Sequence, residues 1–147
     1  MKAYIGVDPG TSGSIAVICG NVVKFCKLKE TLHDQAEFLR DIASFCEDSF
    51  ALIEKVGAMP RQGVSSTFKF GTSFGMCQGL LAALRVPHEF ITPAKWQQAM
   101  RCRTGGDKNI SKARAQQLFP RLKITHANAD ALLLAELCRR QQEGTEP

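Results

Sequence analysis

Three acidic residues stand where carboxylates do chemistry rather than decorate a surface. Asp8 ends the apolar run Ala3-Tyr4-Ile5-Gly6-Val7 and is followed by the chain-breaking pair Pro9-Gly10. Glu54 continues the run Ala51-Leu52-Ile53, where a charge is costly unless a partner compensates it. Asp130 stands at the head of the last apolar segment. Singly, each has a plainer reading: a turn residue, a lysine-paired carboxylate, a helix cap. Together they suggest one shared site. Clustered carboxylates repel one another unless a cation intervenes, and an all-oxygen set suits Mg²⁺, with Mn²⁺ able to substitute. Two such ions roughly 3.5–4 Å apart activate a water and stabilise the leaving oxygen of a phosphodiester. His126 lies four residues before Asp130, about one helical turn. It is a candidate fourth metal ligand or water-activating group, with a helix-start or core histidine as the plainer alternative.

Such a site needs Asp8 and Glu54 on neighbouring strands and a helix bringing Asp130 across their ends. The pattern supplies those elements. Strands are predicted over Ala3–Asp8, Ser14–Ile18 and Val22–Leu28, with Gly20-Asn21 as a hairpin turn, so the chain opens as an antiparallel meander. His33–Cys46 carries Ala36, Leu39, Ile42 and Ala43 on one helical stripe. Ala51–Val56 returns to strand, and Gly57–Gly63 reads as a loop. Phe70, Phe74, Cys77, Leu81 and Leu84 mark a long helix stopped by Pro87, before a short strand over Glu89–Ile91. Thr92-Pro93 is an N-cap with proline at the first helical position. Arg101–Asn109 reads as a loop, Ser111 as the cap of a short helix, and Asn128–Gln141 as the last helix. The expectation is an α/β domain over residues 1–142, with 143–147 a frayed tail.

Composition is consistent with one globular domain of 147 residues, 44% hydrophobic and 22% charged. No apolar run is long enough to span a membrane, and no leader is read at the N-terminus, so a cytoplasmic location is expected. The six cysteines form no C-x-x-C pair, which argues against zinc and for free thiols in a reducing compartment. Net charge is +5. It concentrates between Lys95 and Lys123, where Lys95, Arg101, Arg103, Lys108, Lys112, Arg114, Arg121 and Lys123 face a single acid, Asp107. That is the distribution of a phosphate-binding surface, with a solvated basic face as the alternative.

Several of these segments, in this order, resemble the RuvC-like Holliday-junction resolvases of the ribonuclease-H-like superfamily. Ile5-Gly6-Val7-Asp8-Pro9-Gly10 with Gly13-Ser14-Ile15-Ala16 is similar to their opening, and Ile53-Glu54-Lys55-Val56 to their second acidic strand. Ser65–Gly71, Thr92-Pro93-Ala94-Lys95-Trp96, Asn109-Ile110-Ser111-Lys112 and His126–Leu134 resemble later segments. The resemblance covers nearly the whole chain and is nearest the short resolvases of phages and plastids. One departure is Ala127, three residues before Asp130, where many relatives place a fourth acid.

The resemblance implies a mixed five-stranded sheet, antiparallel over its first three strands and parallel thereafter, with helices on both faces. It also implies a homodimer that binds a four-way or otherwise branched DNA junction. Paired Mg²⁺-dependent nicks would leave 5′-phosphates. Asp8, Glu54, Asp130 and His126 would form the catalytic, metal-binding set, with two ions. Lys95, Arg101, Arg103, Lys108, Lys112 and Arg114 would contact phosphates, with Arg61 and Lys69 nearer the junction centre. Three rivals stand beside this reading. An actin-like kinase shares Asp8-Pro9-Gly10-Thr11 but needs two such domains. A non-catalytic junction binder would not need all three acids. A related nuclease on another branched or RNA-containing substrate differs mainly in dimer geometry.

Overall fold

In a computed structural model, which describes residues 1–145, the opening meander is formed by β1 (Lys2–Asp8), β2 (Ser14–Cys19) and β3 (Val22–Lys27). Gly20, at φ +58°, allows the tight β2–β3 turn. Then follow α1 (Leu32–Phe45), β4 (Asp48–Glu54), α2 (Val64–Ala83), β5 (His88–Ile91), α3 (Pro93–Ala99), α4 (Lys108–Leu118) and α5 (Ala129–Glu143). The sheet order is β3-β2-β1-β4-β5. The β1–β2 and β2–β3 pairs are antiparallel, and β1–β4 and β4–β5 are parallel, as expected.

Alternation along β1 divides the core in two. Ala3, Ile5 and Val7 face Leu39 and Ile42 of α1 and Cys77 and Leu81 of α2. Tyr4 faces the other way, toward Trp96 of α3, Ala115 of α4 and the length of α5. Helices therefore cover both faces. In α5, Ala129 and every residue from Ala131 through Cys138 are buried, including Glu136, whose carboxylate accepts hydrogen bonds from Arg139 and Arg140. Leu132, Leu133, Leu134 and Leu137 are fully buried, each contributing about 1.5–3 kcal/mol relative to exposure. That packing outweighs the weak start of the helix, because Asn128 makes no side-chain cap. Its amide instead ties down the preceding turn, accepting from the Thr125 amide at 2.8 Å and donating to the Lys123 carbonyl at 3.1 Å.

Four expectations need correction. Helix α4 starts at Lys108 and is capped by Asp107, which accepts from the Asn109 amide at 3.0 Å. Ser111 lies one turn inside it and is buried, so it is not the cap. Helix α5 includes Glu143, which pairs with Arg139, and ends at Gly144 in the left-handed conformation. The expected tail over 143–147 thus begins later, and residues 146–147 lie outside the described residues. The cysteines are not all free: Cys19 at the end of β2 and Cys46 at the C-cap of α1 are joined as a disulfide, because both elements finish at the same end of the sheet. Cys26, Cys77, Cys102 and Cys138 remain free. Finally, His126 lies in the turn before α5, so its four-residue spacing to Asp130 is not a turn of helix. Among the described residues, no helix is long and apolar enough to cross a membrane.

Candidate metal centre

The parallel register of β1 and β4 sets Val7 beside Ile53, so Asp8 and Glu54 finish adjacent strands side by side. Asp130 arrives from above, in the first turn of α5. Its approach depends on Gly6. A Cβ at Gly6 would collide with the Ala131 carbonyl oxygen and the Ala135 amide nitrogen, so only glycine lets α5 lie directly on β1. One carboxylate oxygen from each of Asp8, Glu54 and Asp130 lies within 4.8 Å of the others. The turn after β1 is equally tight. Gly10 takes φ +114° and donates its N–H to Ser73 Oγ at 2.9 Å, and a Cβ on Gly13 would strike the Asp8 carbonyl. Ser14 Oγ donates to the Ala127 carbonyl at 2.6 Å, fastening β2 to the turn before α5.

Burial is the main force on all three carboxyls. It pushes Asp8 well above the usual carboxylate range, and the charges of Glu54 and Asp130 push the same way. Glu54 is raised by burial and by Asp130, against the opposing hydrogen bond from Trp96. Asp130 is raised by burial, opposed by the Ser111 hydroxyl, Lys108 and His126. Lys108 opposes the rise at each acid. Such a set is electrostatically unsatisfied at neutral pH. An all-oxygen, half-buried cluster of this kind fits a hard divalent cation, and the absence of sulfur and the single nearby histidine fit Mg²⁺ or Mn²⁺ better than zinc.

The acids floor a cleft of about 340 Å³ that Lys108, Ser111 and His126 also line. His126 is exposed at its edge and does not join the tight three-oxygen group. Of the basic residues, Lys108 enters the cleft, and Lys95, Arg101 and Arg103 are exposed on α3 and the loop after it. Lys112 is half-buried on α4. Arg114 is partly committed inward, donating from Nε to the Met100 carbonyl at 2.9 Å. Arg61, at φ +68°, and Lys69 are exposed on the loop before α2 and on α2 itself. Sequence reasoning missed two neighbours of the acids, Trp96 and Ser111. Trp96 Nε1 donates to Glu54 Oε2 at 2.6 Å. The signal was present: a tryptophan on a helix facing the core must find a partner for its N–H.

No family model matches the sequence, and no curated protein matches it. Among solved structures, it is similar to Thermus thermophilus RuvC in complex with a Holliday-junction substrate. That match has a TM-score of 0.61 at 17% identity and covers 99% of this chain and 98% of the other. A further Thermus thermophilus RuvC structure matches with a TM-score of 0.62 at 17% identity, over 97% of each chain. The fold of this chain is therefore that of RuvC: a ribonuclease-H-like mixed sheet clasped between helices, matched from end to end.

Proposed function

We propose that this chain is a metal-dependent endodeoxyribonuclease that resolves four-way DNA junctions by paired nicks leaving 5′-phosphates. The observation that carries the reading is the convergence of Asp8, Glu54 and Asp130, drawn from three separate elements into one cleft that Lys108 also lines. Their oxygens would hold two Mg²⁺ ions. When bound, the ions supply activation of the attacking water and stabilisation of the leaving oxygen.

The remaining work falls to the chain's own groups. The Lys108 ammonium meets the scissile phosphate and offsets its charge. His126, at the cleft edge, accepts a proton or serves as a fourth ligand. Ser111 and the packing of α5 on Gly6 hold Asp130 in place. Lys95, Arg101, Arg103 and Lys112 contact flanking phosphates, and Arg61 and Lys69 reach toward the junction centre. Each chain carries one such cluster of three carboxylates among the described residues, and two symmetric nicks need two clusters. The working form is accordingly a homodimer, acting on cytoplasmic DNA.

The test presents a four-way junction, a flap, a linear duplex and an RNA–DNA hybrid in parallel, in Mg²⁺. Preferential junction cutting supports the reading. Equal cutting of flap or hybrid would transfer the activity to a related nuclease class. No cutting of any substrate, with intact junction binding, would leave a binding protein.

A further inference from the structure

Trp96 is fully buried, and its indole N–H points at an acid of the carboxylate cluster. The donor sits on a rigid mount. Thr92 caps α3 by accepting from the Lys95 amide, Pro93 begins the helix, and the indole is locked in the core against α5. A buried indole N–H can be satisfied by any carbonyl. Here it takes Glu54 Oε2 at 2.6 Å, a short charge-assisted contact across 42 residues of sequence. The bond fixes the plane of the carboxyl and occupies a lone pair of Oε2. Oε1, which accepts no such bond, is left as the freer oxygen for a cation.

This matters for cation choice. Ca²⁺ takes six to eight oxygens in flexible geometry, often with bidentate carboxylates, whereas Mg²⁺ demands near-octahedral order from single oxygens and waters. We propose that Trp96 is a positioning residue that holds Glu54 as a one-oxygen ligand and thereby tilts the carboxylate cluster toward Mg²⁺ and away from Ca²⁺. The inference rests on the metal-centre reading above and adds to it a determinant of selectivity.

Trp96 is the only tryptophan in the chain, so replacing tryptophan throughout with benzothienylalanine alters this site alone. That analogue keeps the shape of indole and lacks the N–H. Calorimetric titration of DNA-free protein with Mg²⁺ and with Ca²⁺ reads binding without any cleavage. Wild type, the analogue protein, Trp96→Phe and Asp8→Asn are compared. Loss of the N–H should weaken Mg²⁺ binding by roughly 10–100-fold, the usual effect of losing a group that orients a ligand. Ca²⁺ binding should weaken less, so the preference for Mg²⁺ over Ca²⁺ falls at least about fivefold. In the wild type, Mn²⁺ should quench Trp96 fluorescence, with Mg²⁺ competing the quenching away. An unchanged Mg²⁺/Ca²⁺ ratio in the analogue protein overturns the inference. If Asp8→Asn still abolishes binding in that case, the metal-centre reading survives alone. A wild type that binds neither ion overturns both. The isosteric analogue keeps the test decisive even if Trp96→Phe fails to fold.

Discussion

Asp8→Asn should stabilise the protein when divalent cations are removed, and destroy its response to them. The cluster sets three carboxylate oxygens within 4.8 Å of one another, so each ionised pair repels by at least about 3.5 kcal/mol at an effective dielectric near 20. Asp8 takes part in two such pairs and is the most strongly perturbed of the three acids. Partial protonation and the attraction of Lys108 relieve much of that repulsion. Asparagine has the same shape and no charge, so the net gain should be about 1–3 kcal/mol, or about 3–9 °C in melting temperature for a chain of this size. Mg²⁺ should reverse the order. Wild type gains about 2.7 kcal/mol at a hundredfold excess over its dissociation constant, and the variant gains little. Thermal melts in EDTA and in MgCl₂ measure both halves. A variant that melts below wild type in EDTA would refute the reasoning, because it would mean that Asp8 is a stabilising structural residue.

Acidification gives a second check. Burial raises Asp8, Glu54 and Asp130 in the folded state, with neighbouring carboxylates adding to the rise at Asp8 and Glu54, so their ionised forms cost stability at neutral pH and the cost disappears as pH falls through the raised values. In EDTA the gap between wild type and Asp8→Asn should therefore close on acidification, as read by parallel melts; a gap that widens contradicts the assignment. Gly6→Ala should cost about 3 kcal/mol or more, read from urea midpoints, because the new methyl collides with the α5 backbone. The variant should also lose its Mg²⁺ response, since Asp130 rides on α5. Arg103→Ala should lower the salt slope of junction binding by about one unit. Arg114→Ala should instead chiefly lower the melting temperature, because its Nε holds the Met100 carbonyl; equal slope losses for both would undo that distinction.

Much of this arrangement was legible because it is written locally. Apolar runs that end in an acid mark strands delivering a carboxylate, as at Asp8 and Glu54, whereas Asp130 heads the apolar helix α5. Thr92-Pro93 marks the start of α3 as expected. What escaped was either long-range or directional. Trp96 meets Glu54 across 42 residues, and Cys19 meets Cys46 only because β2 and α1 finish at the same end of the sheet. Ser111 resembled a cap because Asp107, the true cap, belonged to a loop already assigned to phosphate binding. Spacing placed His126 one turn before Asp130, but the helix begins at Ala129, so the spacing did not translate into helical geometry. Arg114 carries the charge of a phosphate contact, yet its side chain turns inward, which composition cannot reveal.

The central claim is that Asp8 belongs to a metal-dependent cutting centre on a chain whose junction affinity resides elsewhere. The most direct measurement is single-turnover cleavage of a four-way junction in Mg²⁺ by wild type and Asp8→Asn, with junction affinity measured in parallel. The account predicts paired nicks that a ligase can seal for the wild type. For the variant it predicts no detectable cleavage and junction affinity within about threefold of wild type, because phosphate contacts supply most of the binding. A variant that cuts at near wild-type rate would contradict it.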